Sequence, residues 1–449
     1  MDLIIFCIFR YEITFCRIIK KMNRRKFIQS IGTGFVASAA IDQTLALDLK
    51  RVPKQSRVII VGAGFGGLTT AKYLRIYSEE KIEVILIDPT NSFISNPLSN
   101  LVFSGQLSLQ QLTFSRENVC KKYGIQLVKD TVSKIDPESQ KVKLASGSTL
   151  TYDRLVVSPG VSLMLEQLPS LTAEKNPDAL VHAIQAGSQT TLLKKQLEEM
   201  PNGGLFAISV PLAPYRCPPA PYERACQVAL YFQKFKPRSK ILILDANQDV
   251  TSKSALFKKT WANSFPGMIE YRNNHTLMDI NLKEKELIFE VQDEIKADVL
   301  NVIPMMRAGN IAHENGLTNI NQRWCGVDFV TYESNVIPKI HVIGDAIQGG
   351  DLMPKSAQIA YGQGKACAMS VTKLILQNEL NLKPHYNSLC YSFLTSSTAA
   401  HVSTDHIYDE QRKTMAVIQG SQEISTQGST EDYQNAMNWA TNIWKDILS

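Results

Sequence analysis

The sequence predicts an α/β protein with two Rossmann-like dinucleotide-binding domains and a C-terminal α+β region. Three observations favour this class. A glycine-rich turn follows a buried strand near residue 62, a strand–turn–helix–strand unit spans residues 204–245, and residues 377–449 end in an aromatic-rich helix. The length of 449 residues also exceeds what one hydrophobic core usually holds.

Residues 1–50 are interpreted as a leader and are left out of the fold. Arg24-Arg25-Lys26-Phe27-Ile28-Gln29 is a twin-arginine pattern, and the apolar stretch Ile31–Ala40 follows it. Such a signal exports folded proteins, so we expect a periplasmic protein. A basic patch before a surface helix is the alternative. The sequence leaves open whether Met1 or Met22 is the start.

The first domain, residues 51–170 and 303–376, is predicted to bind a dinucleotide. A Val/Ile run from Arg57 ends in a glycine-rich turn. A helix over 68–77 and a strand over 82–87 then lead to Asp88, where a ribose hydroxyl is expected. Three glycines should provide the tight turn, the close approach to a pyrophosphate and the close packing of helix on strand: Gly62, Gly64 and Gly67.

Two signals favour FAD over NAD in this domain. Tyr152–Gly160 is a strand that runs into a Pro-Gly turn, formed by Pro159 and Gly160. Ile340–Ala346 is a buried strand that delivers Gly344 and Asp345 to its carboxyl end, where ligands bind in open α/β sheets. Asp345 is expected to hold a ribityl hydroxyl. A helix that starts after four further residues should direct its N-terminal amides at the flavin: Met353, Pro354, Lys355 and Ser356.

The second domain, residues 171–302, has a different turn. The predicted strand Gly204–Val210 and helix Tyr222–Phe235 flank a segment with several prolines and Cys217, and the strand Lys240–Asp245 follows. Proline lacks the N–H donor that a phosphate needs, and the turn contains no Gly-x-Gly. We therefore expect a thiol site here and no NAD(P)H.

Composition excludes several other functions. The net charge of +6 is small and partly in the leader, and no basic stripe with aromatic residues indicates nucleic-acid binding. The seven histidines lack metal-ligand spacing, and no Cys-x-x-Cys-His haem motif is present. Cys226 and Cys367 lie in apolar helical patterns and are interpreted as core residues, whereas Cys120 and Cys325 receive no role.

The chain resembles the flavoprotein subunit of flavocytochrome c sulfide dehydrogenase, within the pyridine nucleotide-disulfide reductase-like flavoproteins. The matching stretches cover nearly everything beyond the leader. They are Cys217-Pro-Pro-Ala-Pro-Tyr-Glu-Arg, Ile303-Pro-Met-Met-Arg-Ala-Gly, Gly316-Leu-Thr-Asn with Trp324-Cys325, His341–Asp345, Met353-Pro-Lys-Ser, Gln363-Gly-Lys, Cys390-Tyr-Ser and Trp439–Ile447.

The resemblance implies a redox-active disulfide between Cys217 and Cys390 beside the flavin, with Glu223 as a nearby acid that manages protons. A first-turn glutamate that complements the helix dipole is the alternative for Glu223. Asn96 occupies the position of the family's flavin-linking cysteine. An amide cannot form the thioether, so we expect FAD without a covalent link.

The resemblance therefore implies a periplasmic sulfide dehydrogenase subunit that passes electrons from FAD to a c-type cytochrome on a separate subunit. Hydrosulfide is a strong nucleophile and can attack a disulfide. Two alternatives stay open: a sulfide:quinone reductase-like enzyme and a non-catalytic flavin-binding electron-relay protein. The short tail Asn435–Ser449 favours a soluble partner, and we expect no stable membrane insertion.

Overall fold

The structure, a computed structural model, describes residues 55–173 and 179–449. The predicted leader and its twin-arginine pattern lie outside these residues. No helix in the described ranges combines the length and apolarity that crossing a membrane requires.

The strands and helices alternate in the first half of the chain, and the C-terminal region is mostly strand before its final helix. The helices are α1 Phe65–Tyr77, α2 Leu101–Ser104, α3 Glu117–Lys122, α4 Pro169–Ala173, α5 Ser188–Glu199, α6 Ala220–Phe235, α7 Ser254–Ser264, α8 Asn310–Glu314, α9 Ala357–Ile375 and α10 Thr430–Leu448. The strands are β1 Arg57–Val61, β2 Glu83–Ile87, β3 Ser92–Ile94, β4 Thr113–Ser115, β5 Gln126–Val128, β6 Val132–Asp136, β7 Lys141–Leu144, β8 Thr149–Thr151, β9 Arg154–Val157, β10 Val161–Leu163, β11 Leu205–Val210, β12 Lys240–Asp245, β13 Ile269–Arg272, β14 Leu277–Asn281, β15 Glu286–Phe289, β16 Ile295–Lys296, β17 Val299–Val302, β18 Met306–Ala308, β19 Thr318–Ile320, β20 Trp324–Cys325, β21 Ile340–Val342, β22 His385–Phe393, β23 Ala399–Asp409, β24 Thr414–Val417 and β25 Glu423–Ile424.

The first domain is built on a five-stranded parallel sheet with the order β21-β9-β1-β2-β5. Its inner strands β9, β1 and β2 are runs rich in Val, Ile and Leu that are almost completely buried, whereas the edge strand β5 is partly exposed. α1 and α9 pack closely against each other. A Cβ at position 364 of α9 would lie only 2.7 Å from the carbonyl oxygen of Gly66 in α1, so this contact requires Gly364. The sheet therefore places the carboxyl ends of β1, β9 and β21 at one edge.

The second domain is built on a four-stranded parallel sheet with the order β13-β12-β11-β17. The predicted strand Lys240–Asp245 is observed with the same bounds, and the other predicted strands and helices begin within three residues of their predicted starts. One prediction is wrong: the strand expected over Ile340–Ala346 ends at Val342, and Gly344, with φ of +77°, starts a short 3₁₀ turn. Asp345 consequently lies on a turn just past the strand.

The C-terminal region consists of a four-stranded antiparallel sheet, made of β22 to β25, and the helix α10. β22 contacts α9 of the first domain and α6 of the second. α10 buries Ala436, Ala440, Ile443 and Ile447. The strand that carries Cys390, β22, therefore contacts both parallel-sheet domains.

Candidate functional site

The glycine-rich turn between β1 and α1 has the geometry that the three predicted glycines require. A Cβ on Gly67 would lie 1.8 Å from the carbonyl oxygen of Gly62, and Gly62 itself has φ of +92°. A Cβ on Gly64 would meet no atom of a non-neighbouring described residue within 4 Å, so this glycine faces open space. A ligand can therefore approach the backbone closely at Gly64, as a pyrophosphate does in dinucleotide-binding folds.

This turn forms one wall of a cavity of about 420 Å³, which we call the glycine-turn cavity. The cavity is also lined by Arg116, Arg216 and Ala357, the first residue of α9. Most of the predicted cofactor-binding residues line it: Gly62, Gly64, Asp88, Asn96, Pro159, Gly160, Gly344 and Asp345. Residues far apart in the sequence are thus brought together at the carboxyl edge of the first sheet.

Asp88 and Asp345 make different contacts in this cavity. The Asp88 carboxylate accepts hydrogen bonds from the Ala63 and Thr90 amides at 2.8 and 2.9 Å and pairs with buried Arg116 at 3.2 Å. In Asp345, Oδ2 lies 3.2 Å from Arg216 Nε, whereas Oδ1 is buried without a hydrogen-bond partner among the described residues. A buried acceptor without a donor is costly, and a ribityl hydroxyl is the kind of donor that Oδ1 lacks. The residues present therefore fit FAD.

The four residues from Met353 to Ser356 lie outside the glycine-turn cavity. Ser356 is the N-cap of α9, and its hydroxyl accepts a hydrogen bond from the Ile359 amide at 3.3 Å. The Lys355 ammonium donates to the carbonyl oxygens of Asp345 and Ile347 at 3.0 and 2.6 Å. Burial lowers the pKa of Lys355 to about 8. Lys355 thus braces the turn that carries Asp345, rather than pointing into the cavity that Asp345 lines.

Cys217 is held in an uncommon backbone conformation, with φ of +53°. Its amide donates to the Lys355 carbonyl oxygen at 2.9 Å, and its own carbonyl oxygen accepts a hydrogen bond from the Ala220 amide at 2.9 Å. The first bond fixes the turn that carries Cys217 to the loop of the first domain that precedes α9, and the second closes that turn at the start of α6.

Cys390 lies on β22, opposite Val402 of β23. Both Cys217 and Cys390 are free thiols and line the same two cavities: one of about 100 Å³, the inner cavity, and one of about 570 Å³, the outer cavity. Burial raises the pKa of both thiols, and the neighbouring Cys390 raises that of Cys217 further. The structure therefore brings the two predicted cysteines to a common wall between two cavities.

Glu223 lines the inner cavity with both cysteines. Its side chain is 8% exposed and accepts hydrogen bonds from Asn100 Nδ2 at 2.8 Å and from the Phe393 amide at 3.0 Å. Burial raises the pKa of Glu223. A buried carboxyl group with a raised pKa beside two thiols is suited to proton transfer.

Sequence reasoning missed three cationic residues around the site. Arg116 pairs with Asp88, Arg216 pairs with Asp345, and the Lys253 ammonium donates to the Cys390 carbonyl oxygen at 3.3 Å. Arg216 adjoins Cys217 in the sequence, which is a weak signal. Arg116 and Lys253 precede α3 and α7 in segments that match no sequence motif, so the sequence gives no signal for them. Across residues 55–173 and 179–449, no group of His, Cys, Asp and Glu is arranged to hold a metal ion.

The place where the second domain would bind a ribose is filled by its own side chains. Asp245 ends β12, where a dinucleotide-binding domain carries its ribose-binding acid. Its carboxylate accepts hydrogen bonds from Tyr222 Oη at 2.6 Å, Tyr271 Oη at 3.1 Å and the Asn247 amide at 2.9 Å. This filling and the proline-rich turn both oppose binding of a nicotinamide dinucleotide.

Three protein families match stretches of the chain. Residues 190–304 match the central domain of the sulfide dehydrogenase (flavocytochrome c) flavoprotein chain. Residues 382–448 match the flavin-binding domain of flavocytochrome c sulfide dehydrogenase. Residues 56–198 match the pyridine nucleotide-disulfide oxidoreductase family.

Two of these three matches, over residues 190–304 and 382–448, are to domains of the flavocytochrome c sulfide dehydrogenase flavoprotein. The sequence-based resemblance is thereby confirmed. Curated relatives include the mitochondrial sulfide:quinone oxidoreductases of Dictyostelium discoideum, 25% identical over 66% of this chain and 66% of that protein, and of Mus musculus, 24% identical over 73% of each. This flavoprotein therefore spans about two thirds to three quarters of those relatives.

The flavoprotein fold is also found among solved structures. The sulfide:quinone oxidoreductase of Aquifex aeolicus superposes with a TM-score of 0.73 at 16% identity, over 87% of this chain and 91% of that one. At this identity the likeness concerns the fold alone. It confirms the predicted α/β class with two dinucleotide-binding domains.

Proposed function

We propose that this flavoprotein oxidises hydrosulfide to sulfane sulfur through a Cys217–Cys390 disulfide and FAD, and passes the electrons to a c-type cytochrome subunit. The observation that carries this proposal is the common wall formed by the two thiols, with the buried Glu223 beside them. The family match of the central and flavin-binding domains supports sulfide as the substrate.

The cysteine chemistry is proposed in two balanced steps. Hydrosulfide attacks one sulfur of the disulfide, the S–S bond breaks, and one cysteine becomes a persulfide while the other becomes a thiolate. The thiolate sulfur then bonds to the cysteine sulfur of the persulfide, and the bond from that sulfur to the outer sulfur breaks. The disulfide re-forms, one sulfane sulfur atom and one proton are released, and the two electrons leave to the acceptor that bound FAD would supply. Glu223 accepts the proton, since it is the carboxyl group that lines the inner cavity with both cysteines.

FAD, when bound, supplies a two-electron acceptor beside the cysteines. The Gly62–Gly67 turn would hold its pyrophosphate, and the unpartnered Asp345 Oδ1 would accept a hydrogen bond from its ribityl chain. Asn96, which lines both the glycine-turn and the inner cavity, has an amide that cannot form a thioether, so FAD is proposed to bind without a covalent link.

A soluble cytochrome is the proposed acceptor, and a quinone is the second candidate because the relatives named above are sulfide:quinone oxidoreductases. A quinone reductase needs an apolar surface that meets the membrane. The apolar side of α10 is instead buried against the chain, through Ala436, Ala440, Ile443 and Ile447. This packing supports a soluble acceptor, and the predicted leader supports a periplasmic location.

Substitution of the cysteines tests the proposal. We expect Cys217→Ser and Cys390→Ser each to lower sulfide-dependent reduction of cytochrome c by roughly 10³-fold, because each removes a covalent participant. The buried Cys226 of α6 does not line these cavities, and Cys226→Ala should retain activity.

Three outcomes separate the candidates. Unchanged turnover in Cys217→Ser excludes the disulfide mechanism. Turnover with a soluble quinone but not with cytochrome c identifies the alternative acceptor. FAD binding without sulfide oxidation under either condition identifies an electron-relay protein.

A further inference from the structure

The outer cavity differs from the other two because no acidic side chain of the described residues lines it. Its charged lining residues are Lys253 and Lys355. Its lining also includes Leu352 and Ile424, which are 75% and 49% exposed, so the cavity extends to the surface of the protein. The Lys355 ammonium donates to two carbonyl oxygens and lies 3.6 Å from the centroid of the Trp324 ring. The Lys253 ammonium donates to one carbonyl oxygen, so it keeps more of its hydrogen-bonding capacity for a ligand.

Lys253 is a buried cation that makes no ion-pair contact with a carboxylate of the described chain. Its side chain is only 8% exposed, and its ammonium donates a hydrogen bond to the Cys390 carbonyl oxygen at 3.3 Å. Within residues 55–173 and 179–449, no carboxylate forms an ion pair with it, whereas nearby Lys258 pairs with Asp249. An ammonium has three donors, and a buried charge without a partner is unfavourable. An anion in the cavity would accept hydrogen bonds from the unused donors of the ammonium and would also balance its charge.

The backbone at Lys253 is also in the left-handed region, with φ of +55°, at the N-terminus of α7. Such residues occur in turns and cluster at functional sites. The described chain also holds three other lysines in this region: Lys285, Lys339 and Lys413. The Lys253 charge also lowers the pKa of Cys217, Cys390 and Glu223, although burial is the larger effect on each. The ammonium therefore acts on the same groups that the proposed reaction uses.

We propose that Lys253 and the outer cavity form a binding site for a small monovalent anion, which in the proposed reaction is the incoming hydrosulfide. The inference deepens the proposed function and rests on it for the identity of the anion. Lys253 is a substrate-binding residue in this scheme: it concentrates the anionic nucleophile beside the cysteine sulfurs and favours the anion over neutral H₂S.

Alkylation of the reduced protein tests the anion site without sulfide turnover. The rates with anionic iodoacetate and neutral iodoacetamide are measured at Cys217 and Cys390 by mass spectrometry, and their ratio is divided by the same ratio for a small free thiol. We expect a normalised ratio above one in the wild type. Lys253→Gln should lower it about tenfold, as expected for loss of one charge-assisted hydrogen bond.

Lys258→Gln is the matched control, because Lys258 is on the same helix, is half exposed and does not line the cavity. A ratio that is unchanged in Lys253→Gln overturns the proposal. If that variant does not fold, the wild type alone decides: a normalised ratio above one that thiocyanate lowers supports the site, and a ratio of one or less overturns it.

Sulfide kinetics separate failure of this inference from failure of the proposed function. Lys253→Gln should raise KM for sulfide about tenfold with a smaller change in kcat. If the wild type does not oxidise sulfide, the proposed function is wrong, and the alkylation ratio still shows whether Lys253 binds anions.

Discussion

At the scale of the single residue, the site combines backbone strain with buried charge. Cys217 and Lys253 both have φ near +55°. A non-glycine residue in this region costs on the order of 1–3 kcal/mol and persists only where its surroundings impose it. For Cys217 the surroundings are the hydrogen bonds to Lys355 and Ala220. The strain lies where a thiol and an ammonium face the same cavity.

Glu223 is fixed by a chain of buried polar groups. Asn100 donates to Glu223 through Nδ2 and accepts a hydrogen bond from Arg224 Nε at 3.1 Å through Oδ1. Arg224 is 1% exposed and also donates to Asn301 Oδ1 at 2.7 Å. Both oxygens of the carboxyl group are therefore held, Oε1 by Asn100 and Oε2 by the Phe393 amide, in the wall of the cavity that the two cysteines also line.

Glu223→Gln tests the role of this carboxyl group. Burial raises the pKa of Glu223, so the side chain keeps its proton to a higher pH than a free glutamate does. A group that must accept a proton works only above its pKa, and kcat/KM should fall as the pH drops through that raised value. We expect the variant to lose about 10²-fold in kcat/KM for sulfide. The decrease of kcat/KM at acidic pH, which we call the acid limb of the profile, should be absent from the variant.

The pH profile distinguishes proton transfer from a structural role. Titration of sulfide itself affects wild type and variant equally, so the difference between the two profiles reports Glu223. Glu199→Gln, an exposed substitution on α5, serves as the control. An acid limb of the same shape in Glu223→Gln and wild type would exclude Glu223 as the proton acceptor.

At the scale of the element, hydrophobic runs made most of the fold predictable. The strand Lys240–Asp245 was predictable to the residue because a buried parallel strand is an uninterrupted apolar run. The end of β21 was not, since the apolar run continues past Val342 while the positive φ of Gly344 turns the chain. Lys253 and Arg116 were unpredictable because tertiary packing, rather than a local pattern, buries them.

β21 also carries a buried histidine that makes the first sheet sensitive to acid. His341 is fully buried, and its Nδ1 lies 2.8 Å from the Thr331 carbonyl oxygen. Its Nε2 lies 3.1 Å from Arg154. The neutral tautomer with its proton on Nδ1 satisfies both contacts, because Arg154 can only donate. Burial, with a further contribution from Arg154, lowers the pKa of His341 to about 4.

This shift predicts a loss of stability between pH 6.5 and 4. Over that range the unfolded chain binds a proton at His341 that the folded chain does not, so the free energy of unfolding decreases as the pH falls. The full effect is up to about 3 kcal/mol. We expect urea unfolding at constant ionic strength to show a smaller loss between pH 7 and 4.5 in His341→Gln than in the wild type.

His385→Gln is the control for this prediction, since His385 is exposed. Half-buried His182, whose pKa burial lowers to about 4, should maintain part of the acid sensitivity in His341→Gln. An identical loss in His341→Gln and wild type would assign the acid sensitivity elsewhere.

At the scale of the whole molecule, the C-terminal helix ties the site together. α10 places Ala436 and Trp439 in the wall of the inner cavity, and Trp439 Nε1 donates to Gln358 of α9 at 2.8 Å. At its other end, Asp446 accepts a hydrogen bond from Tyr73 Oη at 3.0 Å and pairs with Lys365 at 3.2 Å. One helix therefore connects the first domain with the wall of the cysteine site.

Asp446→Asn should loosen this connection without touching the site directly. The substitution removes the negative charge that lies among Lys72, Lys365, Tyr73 and Tyr361, so we expect a loss of about 1–3 kcal/mol in the stability of the docked helix. Because α10 forms part of the wall of the inner cavity, the bound flavin should also become more accessible to solutes.

Two measurements on the flavin check this prediction. Quenching of flavin fluorescence by iodide should rise, and release of FAD should occur at a lower urea concentration. Lys445→Gln, an exposed neighbour, is the control. Equal quenching and equal release in Asp446→Asn and wild type would show that the helix holds its position without this cluster.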